Sequence, residues 1–400
     1  MRYDFDKVID RGPSSGSFSS KWEGYEGRFP GYQIDTGKAL SIWVADMDFR
    51  CPDEVIQAIE KRAAHGIFGY PSELANDAFR KAAIGWFHRH YHWRPEPEWM
   101  LFSMGIVAAI NGAIQEFSKP GDGVIIQSPV YYPFSTGIRN NGRVEKVNRL
   151  VEKDGYYTID FEQFEALAKQ PDTTMFILCS PHNPVGRVWT CQELAQMMEI
   201  CRKNHVFVFA DEIHADLIMK NVSFYSVGHV DWIHEQCVMA HAPSKTFNLA
   251  GLTASLLTVP DAENRERLSK RLYDINRIPR SNDFGPVAGA AAYSCCDDYA
   301  AEVSAYIDAN MEYASAYLKE NLPKVKMRKP EGTYLAWFDF RGLGLPKEEV
   351  YRRVLEEAQA VGDLGDWFGP GGEGFVRFNL ACPRSVVQEL LRRLIKTFSD

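Results

Sequence analysis

From Asp53 onward the chain alternates short apolar runs with longer amphipathic stretches. The runs are VIIQ at Val124 to Gln127, MFILC at Met175 to Cys179, VFVFA at Val206 to Ala210, VMA at Val238 to Ala240 and SLLTV at Ser255 to Val259. Each has strand length and little polar alternation, the pattern of a strand buried on both faces. Between several of them a helical period predicts helices at Ile106 to Phe117, Phe161 to Lys169 and Cys191 to Asn204. The order reads as repeated β-α units around a largely parallel sheet, an α/β fold whose ligands sit beyond the carboxyl ends of the strands.

The two chain ends differ from this middle. The last hundred residues predict a long helix from Tyr299 to Leu322, a strand from Tyr334 to Phe340, a helix from Lys347 to Ala360, a strand from Phe375 to Asn379 and a final helix from Arg384 to Phe398. A small α+β unit fits that alternation. The loop FGPGGEG, Phe368 to Gly374, falls inside it and reads as an active-site loop. The first forty residues are rich in Gly, Ser and aromatics without a clear period and read as an arm.

Composition narrows the class. With 45% hydrophobic and 24% charged residues, the 400-residue chain is neither disordered nor short of core. A net charge of -8 has the wrong sign for a protein that grips nucleic acid or an anionic membrane, so neither is an expected partner. The eight cysteines form no CxxC pair, several interrupt apolar runs, and the N-terminus has no apolar leader segment. Buried, reduced thiols and a cytoplasmic location are the expectation.

Three strand ends carry unusual polar residues. VFVFA runs into Asp211; MFILC is followed by the rigid turn SPHNPVG, which aims Asn183; VMA is followed by HAPSKT, which sets Lys245 between two hydroxyls. Alone, Asp211 would read as a helix cap or a salt-bridged terminus, and Lys245 as a solvated loop charge. Together a lysine, an aspartate and an amide at one sheet edge suit a pyridinium cofactor: the amine forms a Schiff base, the carboxylate keeps the ring nitrogen protonated and the amide donates to the ring oxygen.

With SPHNPVG, FADEIH and APSKTFNLAGL in this order, 28 residues separating Asn183 from Asp211 and 34 separating Asp211 from Lys245, the chain resembles the fold-type I, class I/II aminotransferase-like family of pyridoxal phosphate enzymes over nearly its whole length. The resemblance implies a large domain, residues 46–290, with a mainly parallel sheet of seven-stranded type sandwiched by helices. It also implies a small α+β domain made of residues 1–45, including the arm, and 291–400. Pyridoxal 5′-phosphate is the implied cofactor. Lys245 matches the Schiff-base lysine and proton carrier, Asp211 the partner of the ring nitrogen and Asn183 the donor to the ring oxygen. His214 stands where many aminotransferases have tyrosine; it reads either as a further donor to that oxygen or as a structural histidine. Tyr131 in SPVYYPF matches the aromatic stacked on the ring, with a core tyrosine as the other reading.

For the phosphate, Gly105, Ile106 and Val107 open a helix whose N-terminus offers free N–H groups, and Ser244 matches a hydroxyl contact. Tyr70 in FGYP matches a tyrosine that reaches the phosphate from a neighbouring subunit, which implies a homodimer with shared sites. Thr253 stands where the family often has arginine, a departure from the pattern. Arg377 in FVRFNLACP resembles the arginine that grips a substrate carboxylate in a two-pronged pair, and the backbone near Ala45 is a second candidate for that carboxylate. WVADMDF at Trp43 to Phe49, HGIFGYP, DEIHADL and SKTFNLAGL resemble the cystathionine β-lyase, or C-S lyase, branch. The implied reaction is β-elimination from L-cystathionine or a related cysteine S-conjugate to thiol, pyruvate and ammonia. Two alternatives remain: an aminotransferase that needs an oxo acid, and a regulatory protein acting through protein contacts.

Overall fold

The computed structural model describes residues 2–399. Seven strands build the central sheet: β1 Met100–Ser103, β2 Gly123–Ser128, β3 Val144–Arg149, β4 Thr173–Cys179, β5 Phe207–Asp211, β6 Cys237–His241 and β7 Ser255–Thr258. Their spatial order is β1-β7-β6-β5-β4-β2-β3. Every pairing is parallel except those of β7, which is antiparallel to both β1 and β6. All five apolar runs are strands of this sheet.

Side chains alternate across the sheet into two separate cores. Phe176, Leu178, Val208 and Ala210 face one; Met175, Ile177, Phe207 and Phe209 face the other. Because both faces are covered, neither alternation nor polarity marks these strands in the sequence. The helices Ile106–Phe117, Phe161–Ala168 and Cys191–Lys203 supply crossovers. Thr190 starts the last of them with a reciprocal capping box with Glu193.

The second sheet comprises β8 Lys326–Met327, β9 Leu335–Asp339, β10 Asp363–Leu364 and β11 Phe375–Asn379. It is antiparallel throughout, in the order β8-β9-β11-β10. The helix expected from Lys347 to Ala360 is shorter: it runs Lys347–Arg352, passes into a wide turn at Arg353–Glu357 and gives way to a strand at Ala360–Val361. That strand pairs in parallel with Leu40–Ser41, so the N-terminal arm joins the C-terminal part of the chain. Of the eight cysteines five are buried; Cys191 and Cys295 are exposed and Cys51 is half-buried, which corrects the expectation of uniformly buried thiols.

The arm has only short helical turns, as its lack of period suggests, but it is part of this chain's own core. Phe5 packs its ring 5.0 Å from Phe49, 5.4 Å from Tyr306 and 5.7 Å from Tyr299. Lys21 is fully buried and its Nζ donates to Asp48 at 2.8 Å, while Arg11 pairs with both Asp46 and Asp48. The arm is thereby strapped to the turn at Asp46 to Asp48. Phe5→Ala should cost about 3 kcal/mol of stability, read as a lowered denaturant midpoint; an arm that merely lies on the surface would leave the midpoint unchanged.

Candidate active site

Register brings the site together. Asp211, the last residue of β5, pairs with Cys179 at the end of β4 and with Ala240 near the end of β6. The turns that leave these three strands therefore start side by side. They carry Asn183, His214, Ser244 and Lys245 into one cavity of about 170 Å3, with Asp211 on its wall. Gly105, Ile106 and Val107 line it from the start of the helix Ile106–Phe117. Gly105 sits at φ +90°, a backbone region that side-chain-bearing residues rarely adopt, and this lets the chain turn from β1 into the helix whose first residues line the cavity. Tyr131 and Ala45 close the remaining sides.

The charges in the cavity are poorly solvated. Burial pushes the Asp211 carboxyl up to about 6, against the opposing influence of the Ile213 N–H, which donates to it at 3.1 Å, and of Lys245 and His241. No cation pairs with Asp211 among the described residues. Burial likewise pushes the Lys245 amine down to about 8, helped by Arg377 and opposed by Asp46 and Asp211. Its Nζ donates to the Ala45 carbonyl at 2.7 Å. His214 is held neutral, its pKa lowered well below the ordinary histidine value by burial and by the nearby Lys245 and Arg377, and its Nδ1 is buried without a partner.

Arg377 enters from the second sheet. On β11 it stands opposite Trp337 of β9 and Asp363 of β10. Its guanidinium forms a buried ion pair with Asp363 and donates to the Trp43 carbonyl at 3.0 Å and to Asn183 Oδ1 at 2.9 Å. With Oδ1 engaged as acceptor, the Asn183 amide nitrogen points its donors elsewhere, and it makes no hydrogen bond among the described residues. Arg377 Nε is buried and unpartnered.

Several functional groups escaped the sequence. Asp363 carries no motif, and only strand register reveals it as the partner of Arg377. Tyr334, expected only as a strand residue, donates its hydroxyl to the Ala45 carbonyl at 2.7 Å. The Ala45 carbonyl, which no motif marks, receives both Tyr334 and Lys245. Tyr131 and Tyr132, adjacent in sequence, separate here: Tyr131 reaches the inner cavity and Tyr132 does not. Thr253 lines the cavity in a left-handed backbone conformation. Tyr70 is fully exposed and lies outside the cavity of its own chain. The FGPGGEG loop is tied to Ser128, whose hydroxyl donates to Pro370 O at 2.8 Å, and does not line the cavity.

The pattern of aminotransferase class I and II matches residues 43–394. The chain belongs to this family. Within it, cystathionine beta-lyase PatB of Bacillus subtilis (strain 168) is 42% identical over 395 residues, covering 98% of both chains. The crystal structure of cystalysin from Treponema denticola, which contains a pyridoxal 5′-phosphate cofactor, superposes with a TM-score of 0.94 at 36% identity, covering all of both chains. The PLP-bound C-S lyase from Staphylococcus hominis superposes at 0.91 with 28% identity, covering 100% of this chain and 99% of that one. The family's α/β architecture, a mostly parallel sheet flanked by helices, is the one described above.

The Asp211 carboxylate, which pairs with no cation among the described residues, and the unpartnered Asn183 Nδ2 fit a ring that brings a cationic N–H and an acceptor oxygen. Without such a ring, Asp211 is a liability to the folded state. Its folded pKa lies above that of an unfolded chain, so the folded state holds the proton more tightly and its stability falls as pH rises toward about 6. At pH 8 the apoprotein of Asp211→Asn should therefore be more stable than the unaltered apoprotein, by on the order of 3 kcal/mol. The gap should close as pH falls from about 6 towards 4, measured by denaturant unfolding at each pH; a gap that does not vary with pH would contradict this.

Proposed function

We propose that this chain is a pyridoxal 5′-phosphate-dependent carbon-sulfur lyase. It eliminates the thiol from the β-carbon of L-cystathionine or a related cysteine S-conjugate and, with water, yields pyruvate and ammonia. The choice of elimination rests on the 42% identity to cystathionine beta-lyase PatB along 98% of both chains. The single structural observation behind it is the part-buried Lys245 amine facing a cavity whose wall also holds Asp211 without a cation partner among the described residues.

Each residue then has a task. When bound, pyridoxal 5′-phosphate supplies a ring that withdraws electrons from the substrate's α-carbon. Asp211 faces the ring nitrogen and gains the cation it lacks. Asn183 donates to the ring oxygen, with the neutral His214 beside it. The Tyr131 ring covers one face. Gly105, Ile106 and Val107 at the helix start, with the Ser244 hydroxyl, hold the phosphate without a full positive charge at Thr253.

Lys245 moves the protons. An amine with a pKa near 8 is part-deprotonated at neutral pH, and a base poised near the working pH transfers protons most effectively. Lys245 would take the proton from the α-carbon, and the Ala45 carbonyl, itself fixed by Tyr334, holds the amine at the cavity. Arg377 holds the substrate carboxylate while Asp363 and the Trp43 carbonyl keep its plane fixed.

The same reading extends to assembly. Residues 46–290 would form the larger domain, and residues 1–45 with 291–400 the smaller. Ile67, Phe68, Tyr70 and Leu74 are all exposed along one short segment, an apolar surface that fits a homodimer in which Tyr70 reaches the other subunit's phosphate. No helix of the described residues is long and apolar enough to cross a membrane; a cytoplasmic location fits this reading.

Holoenzyme given L-cystathionine without an oxo acid should release pyruvate, ammonia and thiol over many turnovers. One stoichiometric conversion that then stops would make it an aminotransferase. Lys245→Ala should lower kcat by about 100-fold to 10,000-fold. Arg377→Lys, which keeps the charge but loses the planar fork, should raise KM about tenfold or more; an unchanged KM would remove Arg377 from the carboxylate site.

A further inference from the structure

Past Ala45, Tyr131 and Lys245 the inner cavity adjoins a second one of about 330 Å3, which these three residues also line. The N-terminal arm lines the outer cavity through Ser20, Glu23, Tyr25 and Arg28; Tyr132, Asp363 and Arg377 line it too. Two charged side chains on the arm wall, Glu23 and Arg28, make no hydrogen bond or ion pair among the described residues. Glu23 Oε1 is buried without a hydrogen-bond partner. The Arg28 guanidinium lies 5.7 Å from the centre of the Trp43 ring and makes no ion pair among the described residues, not even with Glu23. Cation and aromatic face together hold Arg28 at this cavity. A buried carboxylate oxygen with no donor calls for one from outside.

We propose that Glu23 and Arg28 recognise the far end of the leaving group, the ammonium at Glu23 and the carboxylate at Arg28. The inference rests on the lyase reading and deepens it. Arg377 takes the carboxylate next to the reacting carbons, and the sulfur substituent extends into the outer cavity. A zwitterionic end there gives buried Glu23 Oε1 the donor it lacks and the exposed Arg28 an ion partner, whereas a plain alkyl group supplies neither. The preferred substrates are thus cysteine S-conjugates whose sulfur carries a second α-amino-acid group, such as L-cystathionine or L-cystine. S-alkylcysteines are poorer ones.

The test compares L-cystathionine with S-methyl-L-cysteine in the holoenzyme and in its Arg28→Gln and Glu23→Gln variants. Each substitution should lower the preference for cystathionine, as a ratio of kcat/KM values, about tenfold, chiefly through the KM of cystathionine. Arg28→Lys should recover part of the loss. Ratios unchanged to within about twofold, including the case in which both substrates suffer equally, would overturn the assignment. Absence of pyruvate from either compound in the unaltered holoenzyme would instead overturn the lyase reading. The recognition claim is then read from calorimetric dissociation constants of the two compounds with Lys245→Ala holoenzyme, with and without Arg28→Gln. A tenfold or so weakening for cystathionine alone supports it, and equal constants overturn it.

Discussion

Because Asp211 pairs with Cys179 on one side and Ala240 on the other, the turns after β4 and β6 each leave the sheet one strand spacing from the turn after β5. Parallel pairing makes this possible: neighbouring strands end on the same edge, so the residues after each strand gather there. A one-residue slip between β4 and β5 would turn Asp211 to the opposite face and break the set. The apolar runs on either side resist that slip, since both cores are fully covered and each residue of β5 is buried. The hydrophobic pattern therefore fixes where the charges stand, although it contains none of them.

The segment from Trp43 to Asp46 completes what the sheet begins. Its carbonyls fan out in turn: Trp43 to Arg377, Val44 to Asn379, Ala45 to Lys245 and Tyr334, Asp46 to Asn379 and Lys21. Backbone oxygens are well suited to this. They accept from an ammonium or a guanidinium without adding a charge that would have to be desolvated. The amine of Lys245 is thereby held without an ion pair, and burial is free to lower its pKa toward the range where it can accept a proton.

The sequence made the centre of the sheet legible and left its margins obscure. Runs such as MFILC and VFVFA are marked by their own composition, and the polar residues that follow them are conspicuous because they interrupt it. β3, VEKVNR, lies at the sheet edge with mostly polar, part-exposed residues and offers no such contrast. The helices Asp53–Ala64 and Asp77–Tyr91 were likewise passed over between clearer signals. At the site, Lys245, Asp211, Asn183 and Arg377 stood out, whereas Asp363 and the Ala45 carbonyl did not. A cross-strand partner is chosen by register and a carbonyl is common to every residue, so neither leaves a local mark in the chain.

The buried pair of Asp363 and Arg377 has a consequence for how the site treats anions. Burial holds the Asp363 carboxyl up at about 6 even with Arg377 and Arg28 working against it, so the aspartate is ionised at neutral pH at some cost. A buried ion pair contributes little net stability, because desolvation offsets the attraction. What it contributes is orientation: Asp363 occupies one edge of the guanidinium and Asn183 and Trp43 occupy others, so few donors remain and their direction is set. With His214 neutral, Lys245 is the cation that lines the inner cavity among the described residues, and Arg377 stands in the adjoining outer one. A carboxylate at the edge next to Lys245 thus meets an arginine that is already oriented, and the Lys245 amine stays free to act as a base.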